Sequence, residues 1–138
     1  MNCKVEKSKI KGKINCPSNK SYTHRGIFLA SLAGNNSKVE NVLLSADTKA
    51  TIEACKKFGA VIEVNDSDII VKKSIKIGIN VPEINTENSG TTMRIAIGIA
   101  SLFSEEIILT GDTSLQKRPM QPLLDALSSI GAKCSSTN

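Results

Sequence analysis

The sequence contains two ordered copies of one pattern, and this internal repeat restricts the fold more than any other feature. Each copy has a polar entrance, an apolar helix, a strand, an Asp-Thr loop, an amphipathic helix and a Gly-Ala segment that begins a strand. Two such units bury their apolar helices by packing side by side, so both polar entrances should face one region. The matching segments, about 70 residues apart, are Ala30-Ser31-Leu32 with Ala100-Ser101-Leu102, Asp47-Thr48 with Asp112-Thr113, and Phe58-Gly59-Ala60 with Ile130-Gly131-Ala132.

The first polar entrance spans residues 19–25 and opens a predicted helix, Lys20–Ala33. The second half of this helix is apolar all round, which predicts that it is buried inside a layered core. Its first two turns carry Lys20, Ser21 and Arg25. Free backbone N–H groups and the positive end of the helix dipole favour an anion at the same place. This segment therefore predicts a site for a phosphate or a carboxylate.

The second polar entrance, residues 88–94, opens a predicted helix that runs to about Phe103 and is apolar except for Arg94. Gly90 would let a ligand approach the backbone closely. Arg94 either binds a ligand or pairs with a carboxylate inside the core. A further cationic pair, Lys117-Arg118, would be a solvated loop if it stood alone. Taken together, these groups predict a site that holds two anions.

The remaining patterns predict strands and helices of ordinary length. In the second helix, Ile52, Cys55 and Phe58 should form the buried edge, and Glu53 and Lys57 an i,i+4 ion pair outside. Asp47-Thr48 should cap this helix, and Pro119 should open the fourth helix in its first turn. The buried stripe of the fourth helix should consist of Leu123, Leu124, Leu127 and Ile130. Alternate lysines share one face of the leading strand, which either is solvated or faces a charged partner. Residues 60–64 and 68–72 should form a hairpin with its turn at 65–67. The predicted strand bounds are 4–14, 38–44, 60–64, 68–72, 75–81 (ended by Pro82), 106–110 and 132–135. The second helix is predicted at 48–58 and the fourth at 119–130.

Composition and residue spacing exclude several function classes. Aromatic residues make up 3% of the sequence, which argues against a single-strand nucleic-acid binder built on stacking. A net charge of +5 is compatible with small anionic substrates or RNA. The four cysteines are far apart, which excludes zinc-finger spacing and indicates a reducing, cytoplasmic location. The N-terminal segment lacks the apolar stretch of a signal peptide, and no apolar run is long enough to span a bilayer.

No general acid or base is identifiable from the residues. His24, the single histidine, stands beside Arg25 and is predicted to be a packed or capping residue. The sequence shows no Ser/His/Asp set, no paired carboxylates and no metal-ligand cluster, so we expect no metal or cofactor. The residues of the two entrances therefore predict binding of anions, with the catalytic groups left unassigned.

Three ordered signatures resemble those of the 5-enolpyruvylshikimate-3-phosphate synthase family, and the Tyr-Thr-His run is similar to its archaeal branch. The resemblance covers the whole chain. The sequence departs from the family pattern at Ser18-Asn19, where Gly-Ser or Pro-Ser is usual, and at Ser89, where Ala is usual. It implies an α/β (α+β) fold, an inside-out α/β barrel built of βαβαββ units, of which about two are present. The signatures are Lys20-Ser21-Tyr22-Thr23-His24-Arg25, Asn88-Ser89-Gly90-Thr91-Thr92-Met93-Arg94 and Gln116-Lys117-Arg118-Pro119-Met120.

The resemblance further implies that the chain is an N-terminal fragment of a two-domain enzyme. Residues 1–14 would be a leading strand that belongs to the C-terminal domain, and residues 15–138 would be part of the N-terminal domain. The repeat units would span about residues 20–82 and 88–138. The family's acid and base carboxylates would lie in the missing part, so we expect the fragment to be inactive alone and to need that part as its partner.

The family reaction moves the enolpyruvyl group of phosphoenolpyruvate onto the 5-hydroxyl of shikimate 3-phosphate, in the shikimate pathway to chorismate. The resemblance implies that glyphosate competes for the phosphoenolpyruvate site. It also implies roles for single residues. These are Lys20, Ser21 and Arg25 for shikimate 3-phosphate, Lys20, Asn88, Gly90 and Arg118 for phosphoenolpyruvate, and Thr91, Arg94 and Asp47 in support, with Arg94 bracing Gly90.

Three alternatives remain open from the sequence. UDP-N-acetylglucosamine enolpyruvyl transferase shares fold and donor with the first family but lacks the pattern seen at Lys20–Arg25. RNA 3′-phosphate cyclase has a related fold and predicts salt-sensitive binding of nucleotide and RNA. The third alternative is a non-catalytic module that binds anions. Titration of shikimate 3-phosphate with and without glyphosate separates these alternatives from the first family, because synergy between the two ligands is expected only for that family and only if the missing domain is supplied.

Overall fold

In the described part of the chain, strands separate each helix from the next. The computed structural model describes residues 3–34, 36–81 and 83–137. Helix, strand and helix follow one another in both copies of the repeat, as expected. In these described ranges the elements are α1 (Lys20–Ala33), β1 (Ser37–Val39), α2 (Ala46–Lys57), β2 (Val61–Asn65), β3 (Asp68–Lys73), β4 (Glu83–Asn85), α3 (Gly90–Ala100), β5 (Ile108–Thr110) and α4 (Gln121–Ser129).

The strands form two small sheets outside a helical centre. One sheet has the order β1-β3-β2 with antiparallel neighbours, and the other pairs β4 and β5 in parallel. Helix α3 connects β4 to β5, and it packs against both α1 and α2. Since the helices lie inside and the strands expose one face, the arrangement confirms the predicted inside-out α/β class.

Side-chain caps determine where the helices begin. Asn19 caps α1, because its side-chain oxygen accepts a hydrogen bond from the backbone N–H of Tyr22 at 3.0 Å. Helix α2 begins earlier than predicted, since Ser45 and Thr48 form a reciprocal capping box. The prediction of Asp47-Thr48 as the cap was therefore wrong. Asp47 lies in the first turn, where its charge suits the helix dipole.

The buried edge of α2 anchors the core as predicted. Ile52, Cys55 and Phe58 are 3%, 0% and 0% exposed, and the ring of Phe58 lies 5.5 Å from that of Phe103. Burial raises the pKa of the Cys55 thiol to about 12, so this side chain behaves as a small apolar group. On the outer face, the predicted i,i+4 pair was wrong, because Glu53 binds Lys56 at 2.8 Å.

Two helix faces predicted to be buried are exposed. Leu29 and Leu32 of α1 are 65% and 47% exposed, and Ile130 after α4 is 80% exposed. In α1 the buried side chains lie on the face that packs against α2 and the sheet. The prediction that this helix is buried all round was therefore wrong. In α4, only Leu124 is buried among the described residues, with 7% of its surface exposed.

Three predicted strands are not formed, and two others are shorter than predicted. Residues 4–14, 75–81 and 132–135 have no strand ladder among the described residues, and β1 and β5 are three residues each. At 75–76 the reason is visible, because the N–H of Ile75 donates to Ser31 O at 2.8 Å and that of Lys76 to Phe58 O at 3.0 Å. Hydrogen bonds to helix ends thus replace a ladder. The predicted boundaries at Pro82 and Asn138 lie outside the described residues.

The turns show a mixed outcome. The hairpin of β2 and β3 is confirmed, with Asp66 at a φ of 49° in its turn. Pro119 does not open α4, because that helix begins at Gln121 and has Pro122 in its first turn. Gly131 ends α4 with a φ of 102°, a conformation that favours glycine.

In the described part of the chain, no helix is long and apolar enough to cross a membrane.

Candidate functional site

The first cationic site, defined by Lys20, Ser21 and Arg25 with Asp47, lies at the N-terminus of α1. The ammonium of Lys20 binds a carboxylate oxygen of Asp47 at 2.7 Å, with side chains 51% and 30% exposed. Arg25 is exposed, and its Nη1 donates to the carbonyl oxygen of Ser21 at 3.4 Å. The cations therefore lie at the helix entrance and remain accessible to a ligand.

A threonine anchors this helix end to the neighbouring segment. The hydroxyl of Thr23 donates to Asn19 O at 3.0 Å and accepts from the N–H of Leu43, also at 3.0 Å. Thr23 is 4% exposed, so these bonds are protected from water. They hold the first turn of α1 against the segment that leads into α2, where Asp47 is located.

The second cationic site, defined by Asn88, Gly90, Arg94 and Arg118, lies at the N-terminus of α3. Nη1 of Arg94 donates to Gly90 O at 3.2 Å, and Nη2 of Arg118 donates to Oδ1 of Asn88. A Cβ placed on Gly90 would lie 2.9 Å from Nη1 of Arg94 and 3.0 Å from Nη1 of Arg118. Two guanidinium groups thus flank the Gly90 backbone. Arg94 is exposed, so the alternative of a buried carboxylate partner in the core was wrong.

The loop that carries Arg118 is docked on the turn before α3. The N–H of Asp112 donates to Glu87 O at 2.9 Å, and Oδ1 of Asp112 accepts from the N–H of Leu115 at 2.8 Å. Leu115 is 1% exposed. A Cβ on Gly111 would lie 2.5 Å from both Glu87 O and Cδ2 of Leu115, so only glycine allows this approach.

Glu87 adopts an unusual backbone conformation in that turn. Its φ of 53° lies in the left-handed region, which a residue other than glycine adopts at a cost of about 1 kcal/mol or more. The N–H of Glu87 donates to Oδ1 of Asn85 at 2.8 Å. This turn presents its carbonyl to Asp112 and the next side chain, Asn88, to Arg118.

A buried hydrogen-bond network, defined as His24, Thr51, Thr92 and Ser89, joins the three helices beneath these two sites. Nδ1 of His24 lies 2.6 Å from Oγ1 of Thr51, which lies 2.7 Å from Oγ1 of Thr92. Oγ1 of Thr92 lies 2.6 Å from Oγ of Ser89, the residue that caps α3. The four side chains are at most 1% exposed.

The same network contacts the residue that holds Lys20. The hydroxyls of Thr51 and Thr92 each lie 3.4 Å from Asp47 O, within reach as donors. Asp47 therefore links the two sites, because its side chain binds Lys20 and its backbone carbonyl is contacted by the network that reaches Ser89. Sequence reasoning missed Thr51, Thr92 and Ser89 as linking residues. A usable signal was the presence of hydroxyl side chains on helix faces that are otherwise apolar.

The structure places the candidate residues in two groups. Lys20 and Asp47 are in direct contact, and so are Asn88 with Arg118 and Gly90 with Arg94. Thr91 is exposed at the start of α3. His24 is packed inside, as predicted.

Burial makes His24 a neutral residue. Desolvation lowers the pKa of His24 below its ordinary value of 6.5, and Lys20 and Arg25 lower it further, although Asp47 opposes them. Nε2 of His24 has no hydrogen-bond partner among the described residues. A buried, uncharged imidazole that bonds Thr51 suits a structural role.

We expect the free energy of unfolding to fall as the pH is lowered from about 7 to about 5. The unfolded chain binds a proton at His24 below its ordinary pKa of 6.5, whereas the folded chain resists protonation, so acid favours unfolding. Urea unfolding at a series of pH values measures how steeply the free energy of unfolding depends on pH. This dependence should be weaker in a His24→Gln variant. An unchanged dependence would show that His24 is not the group responsible.

The site is built to hold negatively charged groups. Each cationic group stands at a helix N-terminus or on a loop docked against one, where backbone N–H groups add to the attraction. Within residues 3–34, 36–81 and 83–137, no group of three or more His, Cys, Asp and Glu side chains could hold a metal ion. The arrangement can bind two anions and stabilise negative charge that develops between them.

Comparisons with known proteins agree on one family. The model for EPSP synthase (3-phosphoshikimate 1-carboxyvinyltransferase) matches residues 5–138. The 3-phosphoshikimate 1-carboxyvinyltransferase of Nitrosopumilus maritimus (strain SCM1) is 81% identical over 100% of this chain, which covers 33% of that relative. The enzyme of the same name from Methanococcus maripaludis (strain C7 / ATCC BAA-1331) is 49% identical over 94% of this chain and 30% of the relative.

A solved structure shows the same likeness. The EPSP synthase from Acinetobacter baumannii superimposes with a TM-score of 0.82 at 30% sequence identity, over 92% of this chain and 30% of that one. The chain thus spans 33% and 30% of the length of the two curated relatives described above.

Proposed function

Because the chain belongs to the EPSP synthase (3-phosphoshikimate 1-carboxyvinyltransferase) family, we propose that it is part of an enzyme that transfers an enolpyruvyl group. The donor is phosphoenolpyruvate, the acceptor is the 5-hydroxyl of shikimate 3-phosphate, and inorganic phosphate is released. The observation that carries the proposal is the Gly90 backbone at the N-terminus of α3, flanked by the guanidinium groups of Arg94 and Arg118. A small dianion fits between such groups.

In this proposal the second cationic site holds phosphoenolpyruvate. Arg118, anchored on Asn88, supplies a bidentate donor for its phosphate or carboxylate. The absence of a side chain at Gly90 lets both guanidinium groups lie against its backbone, and Arg94 braces that backbone by bonding Gly90 O. Thr91, exposed in the first turn of α3, supports the same entrance.

The first cationic site holds shikimate 3-phosphate in this proposal, with Ser21 and Arg25 as its ligands at the start of α1. Lys20 stands between the two substrates. Its ion pair with Asp47 keeps the ammonium at the helix entrance before a substrate arrives. The partly exposed pair adds little to stability, so exchanging the carboxylate for a substrate anion costs little.

The proposed chemistry is addition followed by elimination. The 5-hydroxyl group gives up its proton to a base as its oxygen bonds to C2 of phosphoenolpyruvate, and C3 gains a proton from an acid, which gives a tetrahedral intermediate. Loss of phosphate from C2 and of a proton from C3 then restores the double bond. The residues of this chain supply preorganised positive charge for the anionic intermediate. The proton donor and acceptor would come from residues outside this chain.

We also propose the domain organisation implied by the resemblance, with residues 15–138 as part of one domain and the leading segment as part of the other. Val5, Ile10 and Ile14 are 87%, 97% and 88% exposed, although apolar side chains of this size are usually buried in a completed fold. Their exposure supports pairing of this segment with another part of the protein. The four cysteines are free thiols, which supports a cytoplasmic location.

The full-length protein that carries this chain tests the proposal. We expect release of phosphate when shikimate 3-phosphate and phosphoenolpyruvate are both present, no release with either alone, and inhibition by glyphosate that competes with phosphoenolpyruvate. The isolated chain should show no turnover. Transfer to UDP-N-acetylglucosamine instead, or salt-sensitive RNA binding without transfer, would overturn the proposal in favour of one of its rivals.

A further inference from the structure

The buried hydrogen-bond network in the helical centre has no role in the proposed function. It crosses from α1 through α2 to α3, from His24 to Ser89, with three contacts of 2.6, 2.7 and 2.6 Å. Ser89 directly precedes Gly90 and caps α3. At the other end, His24 directly precedes Arg25. The network therefore begins and ends beside the two cationic sites.

We propose that this network sets the spacing of the two cationic sites and thereby couples the binding of the two anions. Its members are positioning residues, since they are buried beneath the sites. The inference rests on the proposed function, because the two anions are taken to be its substrates. An anion that binds at the N-terminus of α3 restricts the motion of Gly90 and of its neighbour Ser89. Through the hydrogen bonds of the network, this restriction extends to Thr51 and to Asp47, which pairs with Lys20.

The hydroxyl groups make this coupling sensitive to each member. Each threonine or serine has a single proton, so it can donate to only one neighbour and must accept from the others. Loss of the Thr92 hydroxyl would remove one hydrogen bond from Thr51 and one from Ser89, and both of these buried groups would then lack a partner that they have in the native fold. The same hydroxyl also reaches Asp47 O at 3.4 Å, so its loss affects both sites.

Backbone contacts place the network where a small shift matters. The N–H of Thr92 donates to Oγ of Ser89 at 3.2 Å, and this bond sets the first turn of α3. Gly90 lies in that turn, and two guanidinium nitrogens stand about 3 Å from where a Cβ on Gly90 would be. A movement of α3 relative to α2 would therefore change the distance from Lys20 to the second cationic site.

The test uses the full-length protein and a thermodynamic cycle of ligand binding. The affinity of shikimate 3-phosphate is measured alone and with saturating glyphosate, which stands in for phosphoenolpyruvate. Thr92→Val should leave the affinity for shikimate 3-phosphate alone within about threefold and reduce the glyphosate-induced gain about tenfold, a typical size for coupling between sites. Thr92→Ser, which keeps the hydroxyl, should retain the gain.

The matched control is Thr86→Val. Thr86 is also fully buried, but its hydroxyl donates to Thr110 O at 3.0 Å, outside the network. This variant should lose a similar amount of stability and keep the coupling. If Thr92→Val does not fold, Ser89→Ala should reduce the coupling in the same direction.

Two results would overturn the inference. Unchanged coupling in Thr92→Val, or equal loss in Thr86→Val, would show that the network does not set the spacing of the sites. If the wild-type protein shows no coupling and no turnover, the proposed function fails and this inference fails with it. The wild-type measurement distinguishes the two cases.

Discussion

Replacement of Lys20 by Met should lower kcat/KM for the proposed transfer by about 10²- to 10³-fold, the loss usual for one preorganised charge-stabilising group. Lys20 begins α1, and its ammonium stands 2.7 Å from a carboxylate oxygen of Asp47 at the helix entrance. Methionine replaces the aliphatic part of the side chain and suits a helix, but removes the ammonium group and its charge. The steady-state release of phosphate, measured with each substrate varied in turn, checks the prediction.

The matched control for this change is Lys57→Met. Lys57 is exposed in the last turn of α2, at the opposite end of that helix from Asp47. The same chemical change there should alter kcat/KM by no more than about twofold. Wild-type kinetics in Lys20→Met would show that this lysine does not contact the reacting groups.

Replacement of Gly90 by Ala should raise the KM for phosphoenolpyruvate by about 10- to 100-fold and leave that for shikimate 3-phosphate nearly unchanged. The new methyl group would lie 2.9 Å from Nη1 of Arg94 and 3.0 Å from Nη1 of Arg118. These atoms end flexible side chains, so the chain still folds while the guanidinium groups move away. Loss of one or two charge-assisted hydrogen bonds, about 1.5–3 kcal/mol, accounts for the size of the effect.

Gly98→Ala offers a control in the same helix. A Cβ on Gly98 meets no atom within 4 Å, so the substitution should leave both KM values unchanged. It should also raise the free energy of unfolding by up to about 1 kcal/mol, since alanine favours a helix interior. Equal changes in KM for the two glycine variants would contradict the assignment of Gly90 to the donor site.

Local signals predicted the elements that build the two sites. The bounds of α1 agree with the sequence prediction, and α3 opens within the predicted segment. These predictions succeeded because a polar cap followed by an apolar run defines a helix start without help from the rest of the fold. The strands at 75–81 and 132–135 were wrong because a strand requires a partner, and no local pattern shows whether one is present.

The site was predictable in its parts and not in its connections. The sequence identified Lys20, Arg94 and Arg118 as cationic groups at helix entrances. It left open whether Arg94 pairs with a core carboxylate, and the structure shows it bonded to Gly90 O instead. The docking of Arg118 on Asn88 depends on Gly111, whose bare backbone allows the loop to approach the turn before α3.

The sequence by itself determined the repeat, the helix entrances and the charges they carry, because caps, periodicity and residue type act over a few neighbouring positions. Only the tertiary structure decided how the entrances are joined. Thr51 meets His24 and Thr92 across separations of 27 and 41 residues. Such contacts depend on how the helices pack. The signals that define each helix are local, and they do not specify which residues of another helix it will touch. The link between the two sites is therefore a property of the packed core.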